Sequence, residues 1–98
     1  MNTSSDAAPA WRARPADEVV WLALDDDYVL YHRGSGKTHF LNAASKYLLR
    51  DVLTAPKTAA EAAAELARHE GVAAEPKFVI VVRQTLEQLD HLGLIDRA

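Results

Sequence analysis

Short runs of β-branched and aromatic residues predict β-strands in the first half of the chain. Residues 19–24 form one such run, and a second run, 28–33, follows the acidic turn 25–27. The third run, 38–41, comes after a Gly-Ser-Gly-Lys turn at 34–37, where glycine supplies the positive φ that hairpin turns require. The pattern therefore predicts a three-stranded antiparallel β-meander.

The two turns also predict how the strands pair. We expect Leu24 opposite Tyr28 in the first hairpin and Arg33 opposite Thr38 in the second. Alternation along each strand then distributes the large side chains over two faces. One face carries Leu22, Leu30 and Leu41, and the other carries Trp21, Tyr31 and Phe40. Because a soluble meander usually has one polar face, we expect something to cover the second apolar face.

A period of 3.6 residues after residue 42 predicts three helices. Asn42 is a suitable N-cap for the first helix, and Pro56 stops it. Its apolar stripe is Ala44, Ser45, Leu48, Leu49, Val52 and Leu53. The second helix opens with a capping box at 58–61 and ends at Gly71. The fold class is thus α+β and winged-helix-like, with the meander preceding the helices.

The third predicted helix starts near Pro76, ends at Gly93 and is unusually apolar. At about 100° per residue, one stripe holds Phe78, Val82, Leu86, Leu89 and Leu92, with Val79 and Val81 at its edges. Ile80 lies on the far side. Two interpretations remain open. The surplus apolar residues are either incidental β-formers or a surface on which the N-terminal segment packs, or else they line a groove for a partner.

Length and charge narrow the class of protein. With 98 residues, 49% of them hydrophobic, the chain fits one domain, and a net charge of −3 argues against holding nucleic acid by bulk charge. We assign residues 1–17 to a flexible arm in which Trp11 docks, on its own sheet or a neighbour's, and residues 18–98 to the folded domain. No apolar run is long enough for a membrane and the N-terminus lacks signal-peptide features, so a cytoplasmic protein is expected.

Candidate chemistry is sparse. The absence of cysteine excludes disulfides, thiolate metal sites and a cysteine nucleophile. The segment 34–38 only partly matches a phosphate-binding loop, and it lies between two strands rather than before a helix. The expected register places His32 opposite His39, but two imidazoles are too few for a closed zinc site. The turn 25–27 lacks calcium-loop spacing. We expect no catalytic residue, metal or cofactor.

Two binding modes compete at this point. The second and third helices form a helix-turn-helix arrangement, yet the third offers only Lys77 and Arg83 against several carboxylates, which suits DNA poorly. The third strand lies at an open edge of the meander. An extended peptide can add to such an edge through main-chain hydrogen bonds, with pockets beside the strand selecting side chains.

The segment Thr38-His39-Phe40-Leu41-Asn42, followed by Ala43-Ala44 and Leu48-Leu49, resembles the "THLLN…aa…vL" stretch of PqqD-like proteins. These small peptide chaperones are also called RiPP recognition elements, and the similarity is greatest to the branch found beside HPr-kinase-like proteins. Further shared features are the tryptophan in the arm, the strand 19–24, the edge 31–33 and the terminal Leu-Gly-Leu-Ile. The resemblance covers about residues 11–95.

The resemblance implies a winged-helix fold that binds the leader segment of a ribosomally made precursor peptide and presents it to a modifying enzyme. The leader is implied to add to the third strand, in the cleft toward the third helix. Carried onto this chain, the implied peptide-binding residues are Thr38, His39, Phe40, Leu41, Phe78, Ile80, Val81, Gln84 and Gln88.

We therefore expect a non-catalytic peptide-binding adaptor whose partners are a precursor leader peptide and a peptide-modifying enzyme. Two alternatives are retained. One is a winged-helix DNA-binding regulator, and the other is a structural module that forms a homodimer by burying the Trp21, Tyr31 and Phe40 face.

Overall fold

The computed structural model describes residues 9–15, 19–24 and 27–98. Its strands are β1 (Ala10–Ala13), β2 (Val19–Leu24), β3 (Asp27–His32), β4 (Lys37–Leu41), β5 (Lys57–Thr58) and β6 (Ile95–Arg97). Its helices are α1 (Ala43–Tyr47), which continues into a π-helical turn (Leu48–Val52), α2 (Ala59–Glu70) and α3 (Pro76–His91). The predicted order of a meander followed by three helices is confirmed.

The meander β2-β3-β4 has the predicted order but a different register. The first hairpin closes with Leu24 opposite Asp27, one residue tighter than predicted, so Trp21 pairs with Leu30. The second closes with His32 opposite Lys37 around a four-residue turn, in which Gly36 has a φ of 73°. The slip of one residue turns every side chain of β2 to the opposite face from the predicted one.

The faces of the meander are therefore partly as predicted. The inner face holds Trp21, Leu30 and Leu41, and the outer face holds Val20, Leu22, Val29, Tyr31 and Phe40. The prediction was right for β3 and β4. Their pairing is shifted by two residues from the predicted one, and a shift of two leaves each side chain on its predicted face. It was wrong for β2, because Leu22 and Trp21 exchange sides.

The helices form around the predicted caps. The Asn42 Oδ1 accepts a hydrogen bond from the Ser45 N–H at 2.8 Å, which starts α1. The π-helical turn was not predicted; in it the Leu53 N–H donates to the Leu48 carbonyl at 2.9 Å, five residues back. Leu48 and Leu53 are both buried, so the wider turn still directs its apolar side toward the core.

The second helix is narrow and close-packed. Thr58 and Glu61 form the predicted capping box, with the Thr58 N–H donating to Glu61 Oε1 at 2.8 Å. Its buried residues are Ala59, Ala62, Ala63, Leu66 and Ala67. The helix ends at Gly71, which has a left-handed φ of 74°. The small buried side chains allow α2 to approach its neighbours, above all α3.

The third helix buries Val82, Leu86 and Leu89, and Phe78 and Leu92 pack against the core at its edges. Its predicted apolar stripe is therefore confirmed. Among the helices in the described part of the chain, none is both long enough and apolar enough to cross a membrane.

A second small sheet, β5-β1-β6, was not predicted. Its central strand is β1, within the segment that the sequence analysis assigned to a flexible arm. Trp11 pairs with Lys57 on one side and Arg97 on the other, and its indole is fully buried in the core of its own chain. The Trp11 indole N–H donates to Asp90 Oδ2 at 3.4 Å, and Arg97 lies over the ring. Residues 1–8 and 16–18 of the predicted arm lie outside the described residues.

Candidate peptide-binding site

The first part of the site is β4, an edge strand. Among the described residues, β4 pairs with β3 on one side and with no strand on the other. In an antiparallel ladder, successive residues direct their N–H and C=O groups alternately toward the neighbour and away from it. The free side of β4 therefore offers main-chain donors and acceptors to an added strand.

The side chains of β4 lie on both faces of the sheet. Thr38 and Phe40 are on the outer face, and the Phe40 ring is 73% exposed. His39 and Leu41 are on the inner face, where Leu41 belongs to the core and His39 is partly buried. A strand added beside β4 would thus meet an apolar ring on one face and an imidazole on the other.

The turn before β4 is held by local hydrogen bonds. The Ser35 N–H donates to His32 Nδ1 at 3.2 Å, and the Lys37 N–H donates to Ser35 Oγ at 3.2 Å. The predicted pairing of His32 with His39 was wrong, since Leu30 lies opposite His39 and Lys37 lies opposite His32. The two imidazoles are diagonal neighbours on the inner face.

His39 has a pKa below its ordinary value of 6.5. Burial is the main cause, because it disfavours the charged imidazolium, and electrostatic repulsion from His32 and Lys37 acts in the same direction. The neutral imidazole of His39 is therefore favoured near neutral pH. In that form it offers one hydrogen-bond donor and one acceptor to a bound chain.

The remaining predicted site residues lie on α3, on or beside its exposed flank. Val81 is 57% exposed, and Gln88 lies two turns further on the same side. Phe78 connects this flank to the core, against which it packs. Ile80 and Gln84 are also exposed, but they lie further around the helix from the core than Val81 does. Ile80 is nearly opposite the buried stripe. The structure thus groups Phe78, Val81 and Gln88 and separates Ile80 from them.

A cavity of about 480 Å³ lies at the start of α3. It is lined by Val72, Ala73, Glu75, Lys77, Phe78 and Val81. All six belong to the α2–α3 connection or to the first turns of α3, so this cavity and β4 are separate features. The connection residues were not among the predicted site residues, although Val72, an apolar residue just after a helix-ending glycine, was a usable signal.

A larger cavity of about 560 Å³ lies on the inner side of the meander, away from the predicted site residues. Trp21, Leu30 and Leu53 are among its apolar lining residues, and Arg14 and Arg50 also line it. Arg14 forms an ion pair with Asp96 at 3.2 Å. This cavity was not predicted from the sequence.

The described side chains give little support for metal binding or for DNA binding. Among residues 9–15, 19–24 and 27–98, no group of three or more His, Asp or Glu side chains could hold a metal ion. Before its last turn, α3 carries the basic residues Lys77 and Arg83, and it also carries the acidic residues Glu87 and Asp90. A helix that reads the major groove needs a more basic or amide-rich exposed side than this one.

Comparison with known proteins identifies the fold. No protein-family model matches the chain, and no curated protein matches it. Among solved structures, TbiB1 in complex with the TbiA(beta) leader peptide matches with a TM-score of 0.62 and 24% sequence identity. The match covers 87% of this chain and 94% of that chain. The chain therefore shares, over nearly its whole length, the fold of a protein that was solved with a leader peptide bound.

Proposed function

We propose that this protein is a non-catalytic adaptor that captures the leader segment of a ribosomally synthesised precursor peptide and presents it to a modifying enzyme. The observation that carries the proposal is the edge of β4, which no other described strand pairs with and which the exposed Phe40 adjoins. The structural likeness to leader-bound TbiB1 and the PqqD-like motif at residues 38–42 support the same role.

The main-chain hydrogen bonds would come from strand addition to β4. A peptide that extends the sheet satisfies the free N–H and C=O groups of the edge without any requirement on sequence. Selectivity must then come from side chains, which alternate between the two faces of the added strand. Those on the outer face would lie next to Phe40, and those on the inner face would lie next to His39.

The side-chain pocket would come from α3 and the connection before it. Phe78 and Val81 line the open cavity at the start of α3, and Gln88 would supply a polar contact further along the same flank. An apolar anchor of the leader in this cavity would bury Val81, which is exposed in the free protein. We place Thr38, Leu41, Ile80 and Gln84 at the periphery of the site.

The partners follow from the same proposal. In this proposal the adaptor is non-catalytic, so a separate enzyme would modify the captured precursor. Because the precursor is made on ribosomes, we place the protein in the cytoplasm.

The test is a binding measurement with a synthetic leader taken from a short peptide encoded beside the gene. We expect saturable binding to the adaptor and no binding of the core segment of the same precursor. Duplex DNA is the second titrant, because a winged-helix regulator would bind it with an affinity that falls steeply as salt rises. DNA binding of that kind without leader binding would overturn the proposal in favour of a regulator.

A further inference from the structure

The larger cavity, of about 560 Å³, lies between the inner face of the meander and the π-helical turn. The meander contributes Trp21 on β2 and Leu30 on β3 to its lining. Leu49, within the π-helical turn, and Leu53, directly after it, contribute from the other side. Pockets for small molecules usually measure about 300–1,000 Å³, so the volume of this cavity is in the range of a ligand site.

The apolar part of the lining comes from core residues. Leu30, Leu53 and Leu94 are each no more than 3% exposed, yet all three line the cavity. Protein interiors are close-packed, and a gap beside apolar side chains loses dispersion contacts on that side. Such side chains also offer water no hydrogen bonds, so an apolar group displaces water from them at little cost. The body of a fitting ligand is therefore apolar.

Two arginines give the lining a positive charge. Arg14 and Arg50 both line the cavity, and none of its other described lining residues is ionisable. Asp96 forms the ion pair with Arg14 at 3.2 Å and so balances part of this charge. Arg50 is exposed, and within the described part of the chain no ion pair or hydrogen bond joins its guanidinium to another residue. Arg50 is thus a cation for which the lining supplies no counterion.

The π-helical turn is a second feature at the same place. Arg50 lies within this turn, between the buried residues Leu49 and Val52. A π-helical turn inserts one extra residue into a helix, and such turns occur frequently at functional sites. The unpaired cation, the apolar cavity and the irregular turn therefore coincide.

We propose that this cavity binds a small amphipathic carboxylate, with its apolar chain against Trp21 and Leu30 and its carboxylate on Arg50. A guanidinium presents parallel N–H donors that match the two oxygens of a carboxylate. A single negative charge suits a lining in which Arg14 is already paired with Asp96. A phosphate monoester would bring close to two negative charges. Thr54, which also lines the cavity, adds a hydroxyl donor.

This site is separate from the proposed leader site. The cavity takes lining residues from β2 and β3, whereas the leader would add to β4. No residue of β4 or α3, both of which are described in full, lines it. The inference therefore goes beyond the proposed function and does not depend on it.

The experiment is an NMR titration of the full isotope-labelled chain with hexanoate, without any peptide. The chain has two tryptophans, and Trp11 is fully buried, so the indole N–H signal of Trp21 is the reporter of the cavity. We expect saturable binding with a dissociation constant of about 1 mM or below. Hexanol has the same apolar chain without the charge, and we expect it to bind at least about tenfold more weakly. Hexyl phosphate is expected to bind no more tightly than hexanoate.

Arg50→Gln tests the anion contact. It is expected to weaken hexanoate binding at least about tenfold and to leave hexanol binding unchanged. Arg68→Gln, which removes an exposed arginine from α2, is the matched control and is expected to bind hexanoate as the wild type does. Both positions are exposed, so both variants are expected to fold, which thermal unfolding verifies.

Four results would overturn the proposal of a carboxylate site. Hexanoate that leaves the Trp21 signal unshifted shows that the cavity does not bind it. Hexanol that binds as tightly as hexanoate shows that the cavity does not select an anion. Hexyl phosphate that binds more tightly shows that the anion is not a carboxylate. An Arg50→Gln variant with wild-type affinity for hexanoate shows that Arg50 does not hold the ligand.

Discussion

Phe40 and Val29 lie opposite each other in the β3–β4 ladder and share the outer face, yet Phe40 is 73% exposed and Val29 only 8%. The difference arises because Val29 is on the central strand, between Leu22 and Phe40, whereas Phe40 is on the edge strand. Phe40 therefore contributes little to the free fold and is available to a bound chain. Its position beside the open edge of β4 is the basis for the first prediction.

Phe40→Thr is expected to weaken leader binding about tenfold and to change the free energy of unfolding by no more than about 0.5 kcal/mol. Threonine keeps a high β-propensity, so the change removes the apolar ring with little effect on the strand. If the lost apolar burial lowers the binding free energy by ~1.4 kcal/mol, the dissociation constant rises tenfold. Isothermal titration calorimetry with the synthetic leader measures the affinity, and urea denaturation measures the stability.

The matched control for Phe40→Thr is Leu22→Thr. Leu22 is on the same face of the same sheet but two strands away from the edge. We expect its substitution to leave leader affinity unchanged. Equal loss of affinity in both variants would contradict strand addition at β4.

Val81→Arg is expected to weaken leader binding by at least about tenfold without unfolding the domain. The Val81 side chain is mostly exposed in the free protein, so arginine can extend into water there. In the complex the same charge would be buried against an apolar anchor, which is costly. Fluorescence anisotropy with a labelled leader measures the loss.

Ala64→Arg is the control for Val81→Arg. Ala64 is an exposed apolar residue of α2, and its substitution adds the same single positive charge to the same domain. Leader affinity is expected to stay at the wild-type value. If Val81→Arg binds as well as Ala64→Arg, the cavity at the start of α3 is not the anchor site.

Trp11→Ala is expected to lower the free energy of unfolding by about 3–5 kcal/mol, as for other buried large-to-small changes. Trp11 is fully buried between α3 and the two strands that flank β1. Arg12→Ala, at the exposed neighbouring position of β1, should change stability by no more than about 0.5 kcal/mol. Similar small effects of both changes in thermal or urea denaturation would show that β1 is an arm rather than part of the folded domain.

The domain is expected to lose some stability as the pH falls through and below 6.5. The folded pKa of His39 lies below the ordinary value of 6.5, so the unfolded chain takes up the proton more readily than the folded protein. The contribution of neutral His39 is thus present above that value and is lost as the pH falls toward the folded pKa. His39→Gln removes this dependence. Chemical shifts of the imidazole should report a midpoint below 6.5, and a midpoint above 6.5 would contradict the burial argument.

The helices and the strand order could be predicted because their signals are local. The cap at Asn42, the capping box at Thr58 and the left-handed Gly71 each act within a few residues of chain. The open third strand and the exposed flank around Val81 could also be predicted, since both follow from order and periodicity. The pairing of β2 with β3 could not, because it depends on a turn only one residue tighter than expected, and a one-residue slip exchanges the faces.

The second sheet could not be predicted for a different reason. Its strands are two to four residues long, and they come from the start, middle and end of the chain. Trp11 was the residue expected to dock, but its partners, Lys57 and Arg97, are 46 and 86 residues away and show no alternating pattern. Long-range pairing of short segments leaves no periodic signal in sequence.

The most direct test of the peptide-binding account is a titration of the isotope-labelled protein with the synthetic leader, followed by amide chemical shifts. We predict that saturating leader shifts the amides of residues 37–41 and 77–88 together, with one dissociation constant. We also predict that the β4 amides that were open to solvent become protected from hydrogen exchange, as an added strand requires. Shifts confined to scattered surface amides, or to α3 without β4, would contradict capture of the leader by strand addition.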